Sequence, residues 1–371
     1  MNKPIDVVVC GHLCLDLLPQ MEHISLNALA TPGKLYEVGG ANISTGGAVS
    51  NTGLALHRLE ANVRLVASIG DDVVGRAILN YIEKYGLELS QFITVQKGQQ
   101  SSLTIVLSPA NEDRVFLYSP GTNVSFSSSS VNYELLKQAK IFHFGYPTVL
   151  PRLYEKDGED LARLMHLAKA QGVITSLDTT LPDAQGSSGR VDWQAILQQT
   201  LPYIDIFIPS IEEILFMLRR DDYERWNEDV FAHLTGSYLH ELADQLISMG
   251  AAVVGFKLGE FGMFIRTATI GRIEVLAPVG IDPGKWAAVE VYHPAFEVDV
   301  VGTTGAGDAA YAGFLLAMIR GLSPYESVRW ACAVGACCVE AVDAISGLRS
   351  WDDISARLES AWKVVEKQIK W

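Results

Sequence analysis

The chain is predicted to be an α/β protein built on a doubly wound, mostly parallel sheet, and three observations predict it. Short continuous apolar runs alternate with amphipathic segments over most of the 371 residues, the pattern of parallel strands buried on both faces and crossed over by helices. Those runs end repeatedly in glycine, serine or aspartate: Gly11 and Asp16, Asp178, Ser210 and Gly302. In a doubly wound sheet such ends are where ligands bind. Finally, two glycine-rich stretches, at 45–51 and 302–308, each lead from an apolar segment into a helical one.

The elements follow in order. Residues 5–10 read as a central strand. Residues 17–45, with Pro19, Pro32, Gly33, Gly39 and Gly40 and no helical period, read as a small β excursion from the main sheet. Gly46 and Gly47 open a helix through Leu54 and Leu59, Val63–Ile69 is a strand, and Gly70-Asp71-Asp72 caps a helix over Val73–Tyr85. Ser102–Leu107 and Val115–Tyr118 flank Asn111-Glu112-Asp113 as a hairpin, expected to pair with the 17–45 excursion. The serine tract 127–130 is a loop or helix entry before a helix over Tyr133–Lys140. Strands at Ile141–Phe144, Val173–Leu177 and Ile204–Ile208 then alternate with helices at Glu159–Gln171 and Trp193–Leu201. Residues 219–236, dense in charge and aromatics, read as a surface insertion carrying a solvated helix. Val253–Leu258, Gly262–Arg266 and Ile273–Leu276 read as strands, with a turn at 259–262 between the first two. A helix opened at Asp308 stops at Arg320-Gly321, Ser323-Pro324-Tyr325-Glu326 caps its successor, and Trp351–Lys370 reads as a terminal helix.

Composition narrows the function. With 49% apolar residues the chain can fill a large core, and a net charge of -14, from 43 acidic against 29 basic residues, argues against nucleic acid or an anionic membrane as the main partner. Cys10, Cys14, Cys332, Cys337 and Cys338 form neither a disulfide framework nor a CxxC pair, so a reducing cytoplasm is the expected compartment. The N-terminal apolar run is bounded by Asp6 and Asp16, too short for a signal peptide or a membrane span.

Chemistry concentrates at Gly305-Ala306-Gly307-Asp308. Glycines let a ligand approach the backbone, the unpaired N–H groups of a helix start attract an anion such as a phosphoryl group, and Asp308 in the first turn is placed as a general base for a hydroxyl. Taken alone, the stretch reads equally well as a strand-to-helix turn. The second glycine-rich helix start, at Gly46-Gly47 with Asn51, and Asp16 after the first strand make the pattern more specific.

The chain resembles the ribokinase-like (PfkB) carbohydrate kinases from about residue 5 to about residue 348. Gly46-Gly47-Ala48-Val49-Ser50-Asn51 is similar to one signature of that family and Thr303-Thr304-Gly305-Ala306-Gly307-Asp308 to the other; Gly70-x-Asp72-x-x-Gly75, Arg114 with Pro120-Gly121-Thr122-Asn123, and Leu258-Gly259-Glu260-Phe261-Gly262 match further segments. The resemblance implies a kinase that uses ATP and Mg²⁺ to phosphorylate a hydroxymethyl group of a sugar or sugar derivative. Asp308 would be the base and the amides of Gly305, Ala306 and Gly307 the anion hole. Asp16, Gly46, Gly47 and Asn51 would bind the sugar, Lys257, Gly259, Thr304 and Cys332 would line the nucleotide, and Glu213 would help order Mg²⁺. It also implies a lid sheet from about 17–45 and 98–123, whose exposed edges would favour a homodimer.

Structural readings stand beside these. Asp16 also reads as a loop carboxylate, Asn51 as a helix-start amide, Lys257 as a surface lysine, Arg114 as an exposed turn arginine, and Ser210-x-x-Glu213 as a capping box. The chain departs from the family in having Gly302 where many members have aspartate, which leaves the monovalent cation of some members open. Ser210 and Cys332 stand where many have asparagine. Alternatives are a nucleoside kinase on the same fold, with Tyr36, Phe116 and Tyr118 stacking a base, and a non-catalytic sugar or nucleotide sensor. A dinucleotide dehydrogenase fits poorly, because the glycines at 305 and 307 lack the third-glycine spacing and lie far from the first strand.

Overall fold

The computed structural model of the protein describes residues 3–371 apart from 22 and 110–114, and only the backbone of 30 and 228. The turn expected at 111–113, and Arg114, lie outside the described residues. Thirteen strands are present among the described residues: β1 Ile5–Gly11, β2 Cys14–Met21, β3 Ala41–Gly46, β4 Val63–Gly70, β5 Ile93–Gln96, β6 Leu103–Pro109, β7 Val115–Ser119, β8 Ala139–Gly145, β9 Ile174–Leu177, β10 Ile206–Phe207, β11 Val253–Lys257, β12 Met263–Thr267 and β13 Glu290–His293.

Nine strands form one sheet in the order β13-β12-β11-β10-β9-β8-β1-β4-β5. The seven strands from β11 to β5 in that order run parallel, and β12 and β13 close the far edge antiparallel. β1 shows why its run is continuously apolar. Val7 and Val9 enter the core on one face, Val8 and Cys10 the core on the other, and all four have no exposed surface. Four strands form a second sheet in the order β3-β2-β6-β7. This confirms the excursion read from residues 17–45 and its pairing with the 102–118 segment, and sets it beside a doubly wound main sheet.

Helices cover both faces. Asp72 caps the helix Val73–Glu83, its carboxylate accepting from the Gly75 N–H at 2.8 Å. Helix Ala306–Ile319 is buried over 308–318 on every side because it lies between the sheet and the helix Pro324–Cys338, which Ser323 caps. A helix apolar all round belongs in a core.

Several expectations are corrected. Residues Ile273–Leu276 are helical, not extended: Ile270–Ile273 is an α-helical turn and Glu274–Val279 a 3-10 stretch. Their apolar side chains, Ile273, Leu276 and Val279, are buried under the sheet, and a short apolar run does not by itself distinguish a buried strand from a buried helical turn. The edge strand is β13 instead, and it lacks a strong apolar alternation. The helix expected over Tyr133–Lys140 is only Tyr133–Leu136, since β8 already begins at Ala139. The terminal helix is Trp351–Glu359; the tail beyond it runs back over the protein, bridging Val364 to Phe296 and Lys370 to Thr235. Within 219–236 the helix Arg220–Trp226 has no fully buried residue, but Tyr223 and Trp226 pack against the core, and Val230 and Leu234 are buried in it.

Candidate active site

The site lies at the carboxyl ends of the parallel strands, where the two glycine-rich helix starts meet. Gly305 caps helix Ala306–Ile319 in the left-handed conformation (φ 75°), which glycine adopts without steric cost. It leaves Asp308 in the first turn, 5% exposed. Three donors fix this carboxylate. Asn51 Nδ2 donates to Oδ2 at 3.0 Å and Thr52 Oγ1 to Oδ1 at 3.1 Å, both from the helix Ala48–Arg58, and the Tyr146 hydroxyl after β8 also donates to Oδ1. Tyr146 is a competent donor, since burial and the Asp308 charge push its phenol far above the usual range.

Gly46 is required by a close approach. A side chain there would begin 2.2 Å from Asp16 Oδ2. Asp16 lies on β2 opposite Ser44 of β3 and Thr104 of β6, and Thr104 lies opposite Tyr118 of β7, so these four residues share one face of the second sheet. Burial pushes the Asp16 carboxyl above its ordinary value, with hydrogen bonds from Cys14 and Thr104 opposing it.

A second group of charges adjoins the amides that open helix Ala306–Ile319. Lys257, at the end of β11, pairs its Nζ with Asp178 Oδ1 at 2.6 Å, and both side chains are largely or wholly buried. This corrects the surface-lysine reading. A side chain at Gly307 would begin 3.5 Å from Lys257 Nζ, so the ammonium lies beside the helix N-terminus. Burial pulls the Lys257 pKa down, but the carboxylates of Asp178, Glu213 and Asp308 outweigh it and raise it. The lysine therefore stays charged. Glu213 forms the capping box with Ser210, its Oε2 accepting from the Ser210 N–H at 3.0 Å and from Thr179 Oγ1 at 2.8 Å.

Among the described residues no group of three or more His, Cys, Asp or Glu is arranged to hold a metal ion. Mg²⁺ keeps several waters and takes only one or two carboxylates beside phosphate oxygens. Glu213 and the Asp178 Oδ2, buried without a hydrogen-bond partner among the described residues, fit such a role. At Gly302 a side chain would begin 2.8 Å from the Ala341 and Val342 carbonyl oxygens; those carbonyls close over the position where an aspartate would stand.

The remaining expected residues spread outward. Gly259 (φ 55°) begins the turn Gly259–Phe261, where a side chain would begin 3.9 Å from the edge of Phe231. The Thr304 carbonyl accepts from the Cys338 thiol at 3.7 Å. Cys332 packs within helix Pro324–Cys338, its thiol on the His293 carbonyl at 3.6 Å, and burial pushes it up to about 12. Of the three aromatics considered for stacking a base, the Tyr36 hydroxyl is held by the Ala28 carbonyl, Phe116 is 55% exposed, and the Tyr118 hydroxyl meets His12. The sequence reading missed Thr52 and Tyr146, which bond Asp308, and His12, whose ring packs near that of Tyr146. Thr52, beside Asn51, could have been found from the glycine-rich helix start; Tyr146 carries no local signal.

A family model described as pfkB family carbohydrate kinase matches residues 5–351. The chain belongs to that family. It is a carbohydrate kinase, a phosphotransferase of the kind its relatives' names describe. Fructokinase-1 of Zea mays is 25% identical over 371 residues, covering 96% of this chain and 98% of that one. Among solved structures, Arabidopsis thaliana ribokinase complexed with ribose and ATP superposes with a TM-score of 0.73 at 18% identity, covering 96% and 99% of the two chains. An E. coli chain solved with ATP and Mg²⁺ superposes with a TM-score of 0.69 at 16% identity, covering 96% and 99%. These two likenesses show the kinase's fold. No helix among its described residues is long and apolar enough to cross a membrane.

Proposed function

We propose that this kinase transfers the γ-phosphate of ATP to a hydroxymethyl group of a sugar or sugar derivative, with Asp308 as general base. The observation that carries the reading is the Asp308 carboxylate, buried at the N-terminus of its helix and held by donors from a second glycine-rich helix start. Asp308 takes the proton of the acceptor hydroxyl, the freed oxygen attacks the γ-phosphorus, and the bond to the β,γ-bridging oxygen breaks to release ADP. The chemistry asks for alignment and charge stabilisation more than covalent help. The N–H groups of Gly305, Ala306 and Gly307 hold the transferring charge, a contribution on the order of 3 kcal/mol for each good donor, and Lys257 supplies positive charge that an acidic protein otherwise lacks there.

Asp16 and Asn51 bind sugar hydroxyls, and Gly46 lets Asp16, and Gly47 lets His12, stand against the helix start. The second sheet acts as a lid that excludes water, which would otherwise compete for the phosphoryl group. Glu213 would help hold the Mg²⁺ that accompanies the nucleotide, and the ion would supply charge neutralisation. The test is a panel of sugars, sugar acids and nucleosides with Mg·ATP, following ADP on wild type and Asp308→Asn. Sugar-dependent ADP formation that Asp308→Asn abolishes supports the reading. Turnover confined to nucleosides, or binding without turnover, replaces it by a nucleoside kinase or a sensor.

A further inference from the structure

His12 lies between β1 and β2, where the chain leaves the main sheet for the second one. It is 7% exposed, and its Nδ1 is buried with no hydrogen-bond partner among the described residues. A buried polar atom left unpaired costs free energy unless something outside the chain satisfies it. The ring stands beside both halves of the site. Its centroid is 6.0 Å from that of Tyr146, whose hydroxyl donates to Asp308, and a side chain at Gly47 (φ 87°) would begin 2.5 Å from the His12 Nδ1.

A chain of hydrogen bonds leads from Asn123 through Tyr118 to this ring. Asn123 Nδ2 donates to the Leu13 carbonyl at 3.2 Å, which fixes the orientation of the amide, and its second N–H reaches Tyr118 Oη at 3.3 Å. The same Tyr118 hydroxyl lies 3.3 Å from His12 Nε2, where either group can be the donor. Burial pushes the Tyr118 phenol up to about 12 and the His12 imidazole down to about 4, so both stay neutral. If the Tyr118 proton goes to Nε2, the single imidazole proton resides on Nδ1.

We propose that His12 is a substrate-binding residue whose Nδ1–H donates to an oxygen of the acceptor sugar, with Asn123 and Tyr118 as positioning residues that set its tautomer. Tyr118 is on β7 of the second sheet and His12 at its hinge, so the donor is set only while that sheet stands over the site. Asp16 accepts from the sugar and His12 donates to it; the pair discriminates the orientation of neighbouring oxygens. The inference rests on the sugar-kinase reading above.

The experiment uses the full chain and the sugar turned over best in the panel. His12→Ala should raise KM about 3- to 10-fold, the range of one neutral hydrogen bond, with kcat changed less than twofold. His12→Asn, which keeps an N–H near the Nδ1 position, should restore KM; His12→Gln, which places its amide near Nε2, should not. Tyr118→Phe should raise KM about threefold at unchanged kcat. One mono-deoxy form of the sugar should lose the same factor on wild type and nothing further on His12→Ala. If His12→Ala does not fold, the contrast between Asn and Gln at that position decides. Equal KM for all variants, or a loss in kcat alone, overturns the assignment. Wild type that turns over no sugar overturns the kinase reading itself, and this inference with it.

Discussion

Asn51 and Asp308 are 257 positions apart, and the amide of one donates to the carboxylate of the other at 3.0 Å. The bond joins the start of the helix Ala48–Arg58 to the start of the helix Ala306–Ile319, so the two glycine-rich helix starts are built as one unit. Both residues lie in the glycine-rich stretches that the family resemblance rests on.

Replacing Asp308 with Asn should leave sugar and nucleotide binding within a few-fold of wild type and lower kcat by about 10²- to 10⁴-fold, the contribution of a positioned base. Coupled ADP release read beside calorimetric binding checks this. A kcat within tenfold of wild type would remove Asp308 from its role.

Lys257 and Asp178 make a buried pair, and breaking one half leaves the other charge without its partner. Lys257→Met should destabilise the protein by about 3–5 kcal/mol, seen as a lower urea midpoint. The double replacement Lys257→Met with Asp178→Leu should recover most of that stability but not kcat. Recovery of activity together with stability would show the ammonium to be structural only.

Gly46→Ala would push a methyl group onto the Asp16 carboxylate. The expected result is a sugar KM higher by about 10- to 100-fold, from displacement of a binding group on the scale of an ångström, with the nucleotide KM unchanged. Separate saturation curves for the two substrates distinguish this from a general loss of folding.

Ser210 and Glu213 share a capping box, so two replacements separate structure from metal. Ser210→Ala should cost about 1 kcal/mol in stability with little effect on Mg²⁺ dependence. Glu213→Gln keeps an oxygen for the cap, and should raise the Mg²⁺ concentration for half-maximal rate by about tenfold. An unchanged Mg²⁺ curve would reduce Glu213 to a capping residue.

His12 and His143 are both buried, and burial lowers their pKa values to about 4 and about 3. In the unfolded chain a histidine binds its proton near pH 6.5. Below that pH the unfolded state holds the extra protons, so stability should fall as pH drops from about 6.5 toward 4, as linkage requires. Urea unfolding across that range checks the slope, and His12→Asn should flatten it by about one proton.

Much of this protein was legible in its sequence because parallel strands buried on both faces must be apolar throughout. β1, with Val7 and Val9 in one core and Val8 in the other, shows that requirement directly. Helix starts were legible through their caps, Asp72, Ser210 and Ser323, since unpaired N–H groups there need an oxygen nearby. The strand order of the main sheet and the register of β2 on β6 were less legible, because contacts between distant segments leave no local period.

By itself, then, the sequence determined the α/β class, the two glycine-rich helix starts and the residue types of a phosphoryl-transfer site. Only the tertiary structure decided that Ile273–Leu276 turns helically beneath the sheet, that Lys257 is buried against Asp178, and that Tyr146, Thr52 and Asn51 converge on one carboxylate. Propensity and caps act between near neighbours in the chain, whereas burial and charge pairing act between neighbours in space.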